Sequence, residues 1–233
     1  MSRHLKRLAA PKFWKIAKKG VKWVVRPSPG PHPLKECIPL LVLVRDILKL
    51  VETADEGKKI IKRGEVLVDG KIRKDHKFPV GLFDIISIPK IGKNYRIIPN
   101  KDGLGLIEIE EKEKNKKLCK IVGKTLVKGS KIQLNLHDGK NVLVEDSKYS
   151  THDSILVELP SLKILEHLKM EPKNLGIVIK GKNRGMITKI KEIKRGSMLE
   201  KWQIVCESNG QEIVVLREHL FVIGKDRPLI KVE

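Results

Sequence analysis

The first thirty-five residues contain no Asp or Glu, and the first acid in the chain is Glu36. The same stretch holds ten Lys or Arg. A segment charged with one sign repels itself, so the sequence predicts an arm that needs a polyanion to order it. Long apolar runs are also missing. The longest, Ile38 to Val44, falls well short of the roughly 18 residues of a membrane helix, which excludes a helical span. No apolar core follows the N-terminal bases, so a signal peptide is not expected. Cysteine is scarce: Cys37, Cys119 and Cys206 lie more than eighty residues apart. That spacing fits neither a zinc cluster nor a disulfide framework, and the three read as core thiols in a reducing cytoplasm. Enzyme signatures fail as well. Gly123-Lys124-Thr125 has Leu118 where a phosphate loop needs Gly, and no Gly-x-Ser-x-Gly element occurs. The seven His do not cluster with Cys or acids at ligand spacing. The chain is therefore read as a non-enzyme with no cofactor, no small-molecule substrate and no membrane partner.

What is present is basic charge on a chain able to fold. The 233 residues carry a net charge of +21 and are 40% hydrophobic, enough for folded cores. Residues 1–35 supply +10 of that excess. Aromatics make up only 4% of the chain, yet two of its three Trp, Trp14 and Trp23, lie in the arm. Bases interleaved with aromatics suit a nucleic acid: cations meet phosphates, and rings stack on bases. Candidate contacts in the arm are Lys6, Arg7, Lys12, Trp14, Lys15, Lys18, Lys19, Lys22, Trp23 and Arg26. The arm ends in Arg26-Pro-Ser-Pro-Gly-Pro-His-Pro33, read as a stiff spacer or tight loop.

Leu40, Leu41, Val44, Ile47, Leu48 and Val51 recur at helical spacing. A second helix is predicted after an N-cap at Thr53, with Asp55 and Glu56 in its first turn and Gly64 at its end. Asp69-Gly70 marks a hairpin within residues 65–73. Further strands are expected at 85–88, 95–98 and 104–109. The charged run 110–117 reads as a solvated loop or linker near a domain boundary. Beyond it the pattern is β throughout, with a hairpin about Asp138-Gly139 and five short strands from Ile177 to Ile223 that suggest a small SH3-like barrel.

His4, Lys6, Arg7, Leu8, Ala9, Pro11, Trp14, Ile16 and Lys18 fill every specified place of the signature of a small-subunit ribosomal protein family of archaea and eukaryotes, the S4e family, which the chain resembles. Residues 38–101 look like the small RNA-binding module that family shares with other ribosomal and RNA-modifying proteins. The likeness rests on the helix pair, on Ile60 to Gly70 and on Pro79 to Asp84. In such modules a basic helix face and hairpin meet structured RNA by shape and phosphate contact. The matching bases are Arg45, Lys58, Lys62, Arg63, Arg73 and Lys74. Gly176 to Ile190 resembles a KOW motif, whose tight turn would present Lys182, Asn183 and Arg184, with Lys180 beside them. Thr188 stands where a third Gly is common.

The resemblance implies an α+β, multidomain protein: a basic N-terminal arm (1–36), a small helix-helix-hairpin RNA-binding domain (37–112), a central β domain (113–172) and a C-terminal SH3-like (KOW) β-barrel (173–233). The implied role is structural, in the cytoplasmic ribosome. The implied partners are small-subunit rRNA and other small-subunit ribosomal proteins. The short stretch after the barrel points to an archaeal source. Two rivals share single modules with this chain: pseudouridine synthases and KOW-bearing elongation factors. The first need an Arg-Leu-Asp catalytic string, which does not occur; the second lack such an arm.

Overall fold

The computed structural model describes residues 4–127, 129, 131–145, 147–197, 200–208 and 210–232. It is mostly strand, with few helices. Two compact units divide the chain: one runs to Ile98 and includes Asp102–Lys114, the other runs from Asn115 and takes up Pro99–Lys101.

In the first unit the arm forms a short ribbon, β1 (Leu5–Lys6) against β2 (Trp23–Val24). β3 (Cys37–Pro39) leads into a buried helical segment, one α-turn at Leu40–Val42 and then a π-turn at Leu43–Ile47. The predicted helix is thus shorter than its apolar spacing implied. It stops because Lys49 takes a left-handed backbone (φ 52°) and Leu50 N–H turns back to the Val44 carbonyl. α1 (Ala54–Lys62) follows and starts where predicted. Thr53 Oγ1 accepts from Glu56 N–H at 3.2 Å and the Glu56 carboxylate accepts from Thr53 N–H at 3.3 Å, a capping box. Gly57 is where α1 crosses the preceding helical segment: a Cβ there would lie 2.5 Å from Leu41 Cδ1. Gly64 ends the helix with φ 79°.

β4 (Leu67–Val68) and β5 (Lys71–Ile72) form the hairpin, with Asp69 and Gly70 both at positive φ. β6 (Pro79–Gly81) pairs with β3. β7 (Ile85–Ile88), β8 (Lys93–Asn100) and β9 (Gly103–Ile109) complete a sheet of order β5-β4-β7-β8-β9. The core joins Ile38, Leu41, Ile61, Val68, Ile86 and Ile97 to Phe13, Trp14 and Val24 of the arm.

The second unit holds two five-stranded antiparallel sheets. The central one comprises β10 (Lys116–Val127), β11 (Lys131–Leu136), β12 (Asn141–Val144), β13 (Ser154–Glu158) and β14 (Ile164–Leu168), in the order β12-β11-β10-β13-β14. The C-terminal one comprises β15 (Leu175–Val178), β16 (Ile187–Lys194), β17 (Gln203–Ser208), β18 (Gln211–Leu216) and β19 (Leu220–Gly224), in the order β18-β17-β16-β15-β19. A single 3-10 turn, Arg217–His219, carries β18 into β19.

The run 110–117 is not wholly a solvated linker. Glu113 reaches back to the fully buried Arg96, with Nη1 to Oε2 at 2.7 Å. Lys117 is also fully buried, its ammonium 2.8 Å from Asp138 Oδ2. All three Cys are buried and outside any disulfide, and burial together with nearby Asp84 and Glu36 pushes the Cys37 thiol up to about 12.

Candidate nucleic-acid interface

The predicted site residues fall into three groups. In the arm, Lys6, Lys12, Lys15, Lys18, Lys19 and Lys22 are all exposed. Trp23 is 44% exposed, with the Lys22 ammonium 5.1 Å from its ring centroid and the His4 ring 5.3 Å away. An exposed indole beside a cation can stack on a base. Arg7 and Arg26 are half-buried, and Arg7 Nη1 donates to the Ala17 carbonyl at 2.8 Å, which ties the arm's loop to its ribbon.

Trp14 is a correction. Its indole is fully buried, and its N–H donates to the Cys37 carbonyl at 2.8 Å, so it has no face to offer a base. The expectation that only a polyanion orders the arm is corrected with it. Phe13, Trp14 and Val24 lend the arm's apolar surface to a core that the arm does not have to build alone. Of the two readings of the Pro-rich stretch, stiff spacer or tight loop, the anchoring contacts favour the loop. His32 Nε2 lies 3.0 Å from Asp84 Oδ2, which accepts Gly81 N–H as well, and Ser28 N–H donates to the Lys77 carbonyl.

The second group lies on α1 and the hairpin. Lys62 and Arg63 occupy the exposed end of α1, and Lys74 is exposed beyond β5. The two elements meet at Gly64, where a Cβ would lie 2.8 Å from the Ile72 side chain and 4.0 Å from that of Lys74. Helix end and hairpin therefore form one basic face. Arg73 is half-buried, its guanidinium stacked 4.4 Å from the Phe78 ring centroid. Lys58 bonds Asp55 at 3.0 Å on the surface, a pair too solvated to hold it strongly. Arg45 is a second correction. It is half-buried and forked onto its own neighbour, Nε to Asp46 Oδ1 at 3.1 Å and Nη2 to Oδ2 at 2.8 Å, so its charge is met locally.

In the third group the segment between β15 and β16 turns tightly. Gly181 and Gly185 adopt φ 94° and 84°, and Gly185 N–H donates back to Val178. Lys180 and Lys182 are exposed; Asn183 and Arg184 are half-buried. Thr188 does not disturb the turn. It is buried, and Oγ1 donates to the Gly176 carbonyl at 3.4 Å.

Sequence reasoning missed two features of the second unit. Lys120 is buried, and its ammonium donates to the carbonyls of Leu220, Glu218 and Arg217 at 2.6, 3.0 and 3.2 Å. Burial, then the charge of Arg217, lowers its pKa to about 7. A lysine in alternating β sequence reads as solvent-facing, so nothing in the pattern announced it. Trp202 carries the guanidinium of Arg217 at 4.4 Å and that of Arg195 at 5.7 Å from its ring centroid. The bases Arg195 and Arg217 lie on either side of it in sequence, which was a legible signal.

Cys119, His137 and Asp138 bring possible ligand atoms within 4.8 Å of one another. The Asp138 carboxylate, however, already receives Lys117 at 2.8 Å and Lys140 at 3.1 Å. Burial would push that carboxyl up; the positive charge of Lys117, His137 and Lys140 outweighs it and holds the group below the usual carboxylate range. A metal ion would have to displace an ammonium.

Comparison with known proteins bears on the same segments. Residues 1–35 match the RS4NT (NUC023) domain, residues 39–86 the S4 domain, and residues 91–164 the model described as Ribosomal family S4e. The chain is 47% identical over 230 residues to small ribosomal subunit protein eS4 of Archaeoglobus fulgidus, covering 97% of each chain. It is 45% identical to the eS4 protein of Methanothermobacter thermautotrophicus, covering 98% of this chain and 95% of that one. The crystal structure of the 30S ribosomal protein S4e from Thermoplasma acidophilum superposes with a TM-score of 0.71 at 30% identity, covering 82% of this chain and 96% of that one.

Proposed function

The chain belongs to ribosomal family S4e, and from that premise we propose that it is a non-catalytic structural constituent of the small ribosomal subunit, held on small-subunit rRNA. Its place is then the ribosome in the cytoplasm, beside other small-subunit proteins. The observation that carries the reading is the exposure of Lys62, Arg63 and Lys74 where the end of α1 meets the hairpin at Gly64, inside the stretch that matches the S4 domain. Such a face suits phosphates of structured RNA, which proteins recognise largely by shape.

Two further surfaces join it. Exposed lysines of the arm, with Trp23, form the first. The turn carrying Lys182 and Arg184 forms the second; we read β15–β19 as an SH3-like KOW barrel, a reading supported by five antiparallel strands and the 3-10 turn before the last. The four-part division into arm, RNA-binding module, central β domain and barrel belongs to this proposal. Three modest contacts on one chain raise the effective concentration of each for its own patch of rRNA. Phosphate contacts set affinity and fix register, without reading base sequence.

Reconstitution tests the whole reading. The chain should co-sediment with small subunits after a high-salt wash, and crosslinks should map to rRNA from all three surfaces. A chain that leaves the particle, or crosslinks only to protein, would overturn it.

A further inference from the structure

The second unit holds a cavity of about 460 Å³, within the roughly 300–1,000 Å³ range of ligand sites, walled by segments of both its sheets. One wall is Trp202 with its two guanidinium partners, Arg195 and Arg217. Arg217 is fixed in place: Nη2 donates to the Thr151 carbonyl at 2.9 Å, and its backbone N–H donates to the Trp202 carbonyl at 3.0 Å. Lys148 and Lys169 also line the cavity, and the Lys148 ammonium lies 5.4 Å from the Tyr149 ring centroid. Two acids also line it, and both are engaged. Asp153 accepts from Ser150 N–H at 3.0 Å and Met170 N–H at 3.0 Å, and lies 2.8 Å from His167 Nε2; Glu171 lies 3.9 Å from the Lys169 ammonium. The lining is therefore four bases to two acids, with an aromatic ring and its two guanidinium neighbours among them.

We propose that this cavity receives one unpaired nucleotide of RNA, its base stacked on the Trp202–Arg195 wall and its phosphate held by Lys148 and Lys169. Charge and shape argue together. An aromatic ring beside guanidinium groups offers stacking to any base, because every base has a π-face. Lysines in the same lining neutralise the phosphate that follows. A neutral small molecule would leave the cations unused. The site would be a fourth contact, and it rests on the rRNA-binding reading above.

The test uses the full chain, labelled with ¹⁵N, and a single-stranded adenylate pentamer. The Trp202 indole N–H resonance should shift on titration. R195E/K169E should weaken pentamer binding at least tenfold while leaving the circular dichroism and melting temperature unchanged, and the milder R195A should weaken it by a few-fold. Small-subunit rRNA is titrated in parallel. If rRNA binds and the Trp202 signal stays still, the cavity proposal falls and the ribosomal reading stands. If Trp202 responds to the pentamer but rRNA is not retained, the cavity stands and the ribosomal reading falls. A Trp202 response to acidic or other peptides, with none to the pentamer, would also overturn the proposal.

Discussion

The indole N–H of Trp14 donates to the backbone carbonyl of Cys37 at 2.8 Å, linking two points twenty-three residues apart. Cys37 begins β3, the strand that leads into the buried helical segment. One hydrogen bond thus places the middle of a strongly basic arm inside the core of the module it precedes. The arm's exposed bases and the module's core residues alternate along one segment, and experiments on one disturb the other unless they separate charge from packing.

Trp14→Ala should therefore act as a core mutation. Truncating a buried large aromatic costs about 3–5 kcal/mol, and here the orphaned Cys37 carbonyl adds to that. Trp14→Phe keeps most of the packing and should cost less, on the order of 1–2 kcal/mol, largely for the lost hydrogen bond. Urea denaturation checks both. Equal, negligible losses for the two would mean the indole is not a core element.

Removing the whole arm would consequently confuse unfolding with lost RNA contact. A cleaner variant replaces the exposed Lys12, Lys15, Lys18, Lys19 and Lys22 with Gln and keeps Phe13, Trp14 and Val24. With about 0.7–0.9 of a log unit per phosphate contact, the slope of log affinity against log salt should flatten by roughly 3.5–4.5 units. Stability should hardly change. An unaltered slope would show that these lysines do not face phosphates.

Much of the fold was legible because its punctuation is local. Thr53 with Glu56, Asp69 with Gly70, and Gly181 with Gly185 each act within a few residues, so a linear sequence displays them. The candidate basic groups on α1 and at the tip of the β15–β16 turn were legible for the same reason: they ride on elements whose ends the sequence marks. Trp14 was misread because its partner lies far along the chain. Composition described the arm correctly as basic, but could not say that Phe13 and Trp14 would borrow another segment's core. Arg45 was misread for the opposite reason, since its partner is the adjacent Asp46 and the fork that joins them is a matter of rotamer. The run 110–117 looked uniformly solvated, yet Lys117 is buried against Asp138, a contact set by how β10 meets the β11–β12 turn.

Thr188 offers a test at a place where the KOW likeness departs from its usual pattern. Its hydroxyl donates to the Gly176 carbonyl across the β15–β16 pair, and it is buried. Thr188→Val keeps the shape and loses the bond, which should cost about 1 kcal/mol. Thr188→Gly, which restores the more usual residue, should cost more, because it also empties the space of a buried side chain and loosens a strand. Melting temperatures would rank the three proteins. A Gly variant as stable as the native chain would show that Thr188 is not a structural substitute.

Lys120 supplies a pH test with a defined sign. Its folded pKa, about 7, lies below the value near 10.5 of an exposed lysine, because burial and the charge of Arg217 disfavour the ammonium. The unfolded chain therefore takes up this proton first as pH falls from about 10.5 toward 7. Across that window the group's contribution to stability declines, and below about 7 both states are protonated and the slope from this group vanishes. The carbonyls of Arg217, Glu218 and Leu220 oppose the burial cost by accepting from the ammonium, and they fasten the 3-10 turn before β19 to β10. Lys120→Met removes both effects. It should leave three inward carbonyls without their donor and destabilise the unit by on the order of 3 kcal/mol at pH 7. It should also lose the part of the pH dependence that the native chain shows between pH 7 and 10. Urea midpoints of the two proteins at pH 6, 7, 8.5 and 10 measure this, with the difference between them isolating Lys120 from the other lysines. Parallel curves across that range would mean that burial does not lower the pKa of Lys120.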